Sequence, residues 1–141
     1  MDSKQKAYTQ QKSAGKPALF DPFRRYYYGQ GTAECGSTVS NFRVVGTGST
    51  TATCPGDVDN AFTQVADGAA PVAVCLDIDW TRGDCFELSG TPVRVDCAAP
   101  PGGRTVRAAE TLQGTVDAER CSTRAGLPYR VRDFIVCLEE L

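Results

Sequence analysis

Two stretches of this chain repeat each other at an offset of 62 residues, and cysteines mark the match. The matching pairs are Cys35 with Cys97, Cys75 with Cys137 and, displaced by five residues, Cys54 with Cys121. Flanking residues agree as well, because VAVCLDID at 72–79 aligns with FIVCLEEL at 134–141. A unit of about 60 residues buries little core by itself and commonly relies on disulfides and on a neighbouring unit. The offset therefore predicts a duplicated, disulfide-stapled module.

The predicted fold class is mainly β, with a small α+β fold as the alternative. Fourteen glycines and eight prolines give the turn density of a small β-rich protein. We expect two tandem repeats of about 60 residues, built from antiparallel hairpins and packed side by side; one shared barrel or sandwich fits equally well. The predicted organisation is a basic disordered tail or linker at 1–20, a first repeat at 21–82 whose first strand is degenerate, and a second repeat at 83–141.

Candidate strands follow the apolar runs. They are predicted at 41–45, 72–80, 92–96, 104–111 and 129–138. The last of these becomes apolar on both faces near its end, which is typical of a central strand. One short helix is predicted in each repeat, at 57–66 with Asp57 as its cap and near 116–124 with Asp117 as its cap.

The offset leaves one cysteine without a counterpart. At this offset Cys85 aligns with Phe23. The second repeat therefore has four cysteines and the first has three, so one of the seven thiols is left over. From 85 to 97 the chain reads CFELSGTPVRVDC, and a hairpin centred on position 91 places Cys85 opposite Cys97. The corresponding remaining pairs are Cys121 with Cys137 and Cys54 with Cys75, which leaves Cys35 as the odd, free thiol. A competing pattern joins Cys85 to Cys137 and Cys97 to Cys121, and leaves Cys75 over instead.

Cysteine usage indicates an oxidising, extracytoplasmic compartment. The chain has no histidine and no closely spaced CxxC pair, so we expect no zinc site and no cofactor. No apolar run approaches the roughly 18 residues of a membrane span, and the first 16 residues lack the apolar region of a signal peptide. Membrane attachment is therefore expected only through an anchor absent from this chain.

The amino-terminal segment differs in charge from the rest. All four lysines lie in it, and residues 1–30 carry a net charge of +4 against −6 for residues 31–141. A short basic segment with scattered lysines is typical of a solvated tail. The body is acidic and has no nucleic-acid-binding motif, so we expect no nucleic-acid partner.

A resemblance to a known family is carried by five elements spread over residues 31–141. They are AECGSTVSNF at 33–42, CPGDVD at 54–59, VCLDIDW at 74–80, GDC at 83–85 and RVDC at 94–97. In these elements the chain resembles the LppU-type lipoproteins of mycobacteria and related actinobacteria. The resemblance implies an exported cell-envelope protein, tethered by an N-terminal lipid or membrane segment, with no assigned reaction. The chain departs from the family at 21–31, where DPFRRYYYGQG replaces the first GDC element.

Candidate catalytic groups are few. Asp77 and Asp79 project to one side of a strand, and Glu139 and Glu140 lie at the equivalent place in the second repeat. Paired carboxylates serve as general acid and base in some hydrolases, and they also bind calcium when six to eight oxygen ligands surround the ion. Solvated or arginine-paired strand ends are the simpler interpretation. The tripeptide Arg82-Gly83-Asp84 is interpreted as a turn rather than an adhesion motif.

The most suggestive surface for binding is the run RRYYY at 24–28. Arginine and tyrosine are enriched at binding hot spots, so Arg24, Arg25, Tyr26 and Tyr28 are candidates for partner binding. The simpler interpretation is the degenerate first hairpin strand. We predict a non-enzymatic extracytoplasmic module that binds or helps assemble another envelope protein or a glycan. The alternatives are a carboxylate-dependent envelope hydrolase and an oligomer linked through the odd cysteine.

Overall fold

The computed structural model describes residues 7–10, 17–19, 26–28, 30–33, 35–65 and 68–141, with side chains from residue 35 onward. The chain divides into two compact units, 1–79 and 80–141. No helix among these residues has the length and hydropathy needed to cross a membrane.

The first unit contains seven described strands. They are β1 (Ala7–Gln10), β2 (Pro17–Leu19), β3 (Tyr26–Tyr28), β4 (Gln30–Ala33), β5 (Phe42–Gly48), β6 (Asn60–Gln64) and β7 (Val72–Ile78). Five of them form an antiparallel sheet in the order β4-β1-β5-β7-β6, and β2 pairs with β3 separately. A bulge interrupts the β5–β7 register between Val44 and Gly46.

The core of the first unit forms around β7. Its residues from Ala73 to Ile78 are all buried, and it is hydrogen-bonded to β5 on one side and to β6 on the other. Because it pairs with a strand on each side, β7 is an internal strand of the sheet. Apolar residues on both of its faces are excluded from solvent. Phe42 on β5 is buried with it.

The second unit contains a second antiparallel sheet. Its strands are β8 (Cys85–Glu87), β9 (Val93–Val95), β10 (Thr105–Gln113), β11 (Gly126–Tyr129) and β12 (Phe134–Glu140). They are ordered β11-β12-β10-β8-β9. The strand β12 lies inside the sheet, between β11 and β10, and is buried from Phe134 to Leu138, in agreement with its apolar run. A bulge interrupts the β10–β12 register between Ala108 and Glu110.

Three disulfides join Cys54 to Cys75, Cys85 to Cys97 and Cys121 to Cys137. These are the pairs that the hairpin argument favours, and the competing pattern is not found. Cys35 is half-buried in the loop before β5 and belongs to none of the three bonds. The mainly β fold is confirmed, and three disulfides indicate an oxidising compartment.

The first predicted helix is wrong, and the second is confirmed only as a single short turn with the predicted cap. The segment expected to be helical at 57–66 contains β6, because Asn60–Gln64 pairs with β7 along its whole length and this pairing outweighs local propensity. At 116–124 only a three-residue 3₁₀ helix forms, at Ala118–Arg120. Its cap is Asp117 as expected, since the Asp117 carboxylate accepts a hydrogen bond from the Glu119 backbone N–H at 3.0 Å.

The described parts of the expected tail, 7–10 and 17–19, are strands rather than disordered chain. The strand β1 pairs with β4 from Ala7 to Gln10 and with β5 at Ala7 and Tyr8. A short polar segment gains regular structure when sheet edges offer it hydrogen-bonding partners, and composition alone does not reveal those partners.

Candidate ligand-binding groove

An open groove of about 390 Å³ lies on the second unit. It is lined by Trp80, Arg82, Ala108, Glu110 and Thr111. The volume lies within the range of about 300–1,000 Å³ that is usual for small-molecule sites. The lining combines an indole, a guanidinium, a carboxylate and a hydroxyl, so it offers both an apolar surface and polar groups of opposite charge.

A turn at Thr81–Asp84 places Arg82 beside β10. The Asp84 N–H donates to the Thr81 carbonyl at 3.0 Å, and Gly83 has a φ of 88°, which a residue with a side chain rarely adopts. Two backbone bonds attach this turn to Ala108: the Gly83 N–H donates to the Ala108 carbonyl at 2.8 Å, and the Ala108 N–H donates to the Asp84 carbonyl at 2.9 Å. The turn is therefore held against the bulge of β10.

Neighbouring aromatic side chains fix the ring of Trp80. Its indole N–H donates to the Tyr129 hydroxyl at 2.8 Å, and its ring meets Phe86 edge-on with centroids 4.9 Å apart. Phe86 and Tyr129 are fully buried, whereas Trp80 is partly exposed. An indole whose N–H is already bonded offers a ligand mainly its ring surface.

The buried side chain of Arg94 contacts both the turn and the aromatic ring next to Trp80. The Arg94 guanidinium lies over the Phe86 ring, 4.7 Å from its centroid, and forms an ion pair with Asp84. It also donates to the Thr81 hydroxyl at 3.3 Å. Because Arg94 contacts both the turn and the aromatic ring that packs on Trp80, it couples the two parts of the groove.

The two charged groups of the groove are held differently. Glu110 accepts hydrogen bonds through its Oε2 atom from the backbone N–H and the hydroxyl of Ser122, at 3.3 and 3.1 Å. Within the described part of the chain, no hydrogen bond to the Glu110 Oε1 atom is found. Arg82 is exposed, and none of the described residues forms an ion pair or hydrogen bond with its guanidinium.

The predicted carboxylate pair at 77 and 79 does not line this groove. Asp77 and Asp79 are each only 1% exposed, so they are not solvated strand ends. Asp77 lies opposite Arg43 in the β5–β7 register. The Asp79 Oδ2 atom accepts hydrogen bonds from the Gly36 N–H at 2.5 Å and from the Ser40 hydroxyl at 2.6 Å. Asp79 therefore ties the loop before β5 to the end of β7.

The equivalent pair in the second unit is exposed and paired with arginines, as the simpler interpretation predicts. Glu139 pairs with Arg107, and Glu140 pairs with Arg104, whose Nη2 atom lies 2.7 Å from its Oε2. The hydrogen bonds from Arg104 hold the pKa of the Glu140 carboxyl below its usual value. In the described part of the chain no group of three or more cysteine, aspartate or glutamate side chains could hold a metal ion.

Of the predicted partner-binding residues, Tyr26 and Tyr28 lie on β3, which pairs with β2. Arg24 and Arg25 lie outside the described residues, as does Phe23. The Arg82-Gly83-Asp84 tripeptide forms the expected turn, and Asp84 is engaged by Arg94.

Sequence reasoning missed the groove. Trp80 is the only tryptophan of the chain, and Arg82 follows it closely. Their proximity was a usable signal, but Glu110 and Thr111 lie about 30 residues further on and join them only through the pairing of the turn with Ala108.

A comparison with known protein families finds no matching family, and searches of curated proteins and of solved structures find no significant match either.

Proposed function

We propose that this protein is a non-enzymatic module of the cell envelope, working outside the cytoplasm, that binds or helps assemble another envelope component, protein or glycan. The compartment follows from three disulfides whose cysteines are mostly buried. The narrower assignment to the envelope comes from the resemblance to LppU-type lipoproteins. It rests on motifs such as VCLDIDW at 74–80 and RVDC at 94–97.

The proposal includes a duplicated module. In each sheet the strand that carries the second cysteine of a disulfide lies between a bulged strand and an outer strand, in the orders β5-β7-β6 and β10-β12-β11. A three-residue 3₁₀ helix precedes the first cysteine of that disulfide in both, at Thr51–Thr53 and at Ala118–Arg120. Equivalent placement of bulge, helix and disulfide supports an origin by duplication.

The groove on the second unit is the observation that carries the binding role. It presents Arg82 without an ion-pair partner among the described residues, beside a fixed indole and a carboxylate with one oxygen available. An exposed arginine without an ion-pair partner among the described residues, next to an ordered aromatic ring, is a typical feature of a binding surface.

Retention on envelope material tests the proposal. The purified, disulfide-bonded chain is mixed with mycobacterial cell walls stripped of protein and, separately, with detergent-solubilised envelope proteins fixed on beads. We expect saturable retention on one of the two. Arg82→Ala should reduce it about tenfold, because a hydrogen bond to a charged group contributes about 1.5 kcal/mol or more.

The matched control is Arg130→Ala, which removes another exposed arginine outside the groove lining. It should leave retention unchanged. A further variant, Tyr26→Ser with Tyr28→Ser, tests whether β3 contributes. Failure of both materials to retain the unmodified chain overturns the proposed function.

A further inference from the structure

We propose that the groove of the second unit binds a neutral sugar ring within an oligosaccharide. The inference rests on the proposed function, since it names the ligand of that same groove. It is carried by the side chains of Trp80, Arg82 and Glu110, which together line one open cavity.

The first argument is the apolar surface. The Trp80 N–H is bonded to Tyr129, its ring packs in a T-shaped contact with Phe86, and Ala108 also lines the groove. A pyranose has one face of C–H groups, which packs on an aromatic ring without needing a polar partner there. Because the indole is already oriented, little side-chain entropy is lost when a ring stacks on it.

The second argument is the pairing of a pure donor with a pure acceptor. The Arg82 guanidinium can only donate hydrogen bonds, and a carboxylate such as that of Glu110 can only accept them. A sugar hydroxyl does both, so adjacent hydroxyls on one ring satisfy the two groups together. The Thr111 hydroxyl, on the rim of the same groove, can act in either role.

The third argument is charge selection. Among the described residues that line the groove, one side chain is positive and one is negative, so their formal charges cancel. An anionic ligand is repelled by Glu110, and a cationic ligand is repelled by Arg82. This like-charge repulsion lowers the affinity of the groove for both kinds of ligand. A neutral polyhydroxylated ring has neither conflict.

The fourth argument is openness. The groove is an exposed cleft and not an enclosed cavity, with Arg82 and Thr111 solvent-exposed on its rim. A ring in the middle of a chain can lie in such a cleft while its glycosidic neighbours extend into solvent. This arrangement fits an oligosaccharide better than an isolated metabolite, which is usually enclosed over most of its surface.

The single tryptophan makes the test direct, because tryptophan emission, excited at wavelengths where the five tyrosines do not absorb, then reports on the groove. The full disulfide-bonded chain is titrated with two neutral trisaccharides, maltotriose and tri-N-acetylglucosamine. The comparison ligands are trigalacturonate, which is anionic, triglucosamine, which is cationic at mildly acidic pH, and triglycine, which is a zwitterion. We expect a saturable change with at least one neutral trisaccharide and a weaker response to all three comparison ligands.

Arg82→Ala and Glu110→Gln should each weaken that binding about tenfold, whereas Arg130→Ala should leave it unchanged. Far-ultraviolet circular dichroism checks that each variant keeps its β structure. The inference is overturned if neither neutral trisaccharide binds, if a charged ligand or triglycine binds more tightly, or if Arg82→Ala has no effect. If retention on envelope material still depends on Arg82 in that case, the proposed function stands and only the assignment of a sugar ligand is rejected.

Discussion

Asp79 is a buried carboxylate that organises the loop before β5. It accepts hydrogen bonds from the Gly36 N–H and the Ser40 hydroxyl, and its own N–H donates to the Asn41 carbonyl at 2.9 Å. A carboxylate removed from water is stabilised when donors of this kind surround it. The residue spacing showed that Asp77 and Asp79 share a side of the strand, but not that this side faces the interior.

Replacing Asp79 by alanine should lower the free energy of unfolding by about 2–3 kcal/mol, because the buried Ser40 hydroxyl and the partly buried Gly36 N–H lose their acceptor. Asp79→Asn should cost less, since the amide oxygen still accepts one hydrogen bond. The measurement is urea denaturation followed by circular dichroism. Glu119→Gln is the control. Glu119 is exposed, and its replacement removes only a surface ion pair with Arg124 whose N and O atoms are 3.7 Å apart. Equal stability of Asp79→Ala and the unmodified protein would contradict this role.

Gly126 on β11 allows the outer strand to approach β12. A Cβ atom at this position would lie 2.8 Å from the Val136 carbonyl oxygen and 2.9 Å from the Ile135 side chain. The Val136 carbonyl oxygen belongs to the backbone of the buried strand β12, so it cannot move aside without disturbing the sheet. The absence of a side chain is therefore a packing requirement at this element.

Gly126→Ala should destabilise the protein by about 1–3 kcal/mol through this overpacking. Gly90→Ala provides a matched control, because its added methyl group meets no atom within 4 Å. The comparison is made by thermal unfolding of both variants under identical oxidising conditions. A melting temperature for Gly126→Ala equal to that of Gly90→Ala would refute the packing argument.

Elements determined by local geometry could be predicted from the sequence. The hairpin from Cys85 to Cys97 is one, because a central turn within a sequence separation of 12 residues brings the two cysteines together whatever surrounds them. The strand β6 could not, since its conformation is fixed by pairing with β7 and its sequence, NAFTQ, has no strong alternation. The groove also lay beyond prediction, because the contact between the Gly83 turn and Ala108 brings its two halves together.

The three disulfides are distributed over the whole molecule, with one in the first unit and two in the second. Each closes a short loop, with sequence separations of 21, 12 and 16 residues. In the chain-entropy description each such bond stabilises the folded state by about 3 kcal/mol. Since a domain of this size is stable by only about 5–15 kcal/mol, the three bonds are comparable to the whole stability.

Reduction should therefore unfold the chain or bring it close to unfolding at 37 °C. Circular dichroism in the presence and absence of a phosphine reductant, with the thiols alkylated afterwards to prevent reoxidation, provides the measurement. A reduced chain with the same unfolding midpoint as the oxidised one would show that burial, and not cross-linking, holds the sheets together.

The outer strands of the second sheet carry a further consequence. Pro128 lies within the edge strand β11, and Pro92 directly precedes the edge strand β9, so a residue without a backbone N–H lies in or beside each edge strand. A second molecule adding its own strand there would find gaps in the ladder of donors. The prolines therefore disfavour the addition of strands from other molecules at both edges of this sheet. Such addition is the first step in the growth of ribbons or fibrils by a protein rich in β structure.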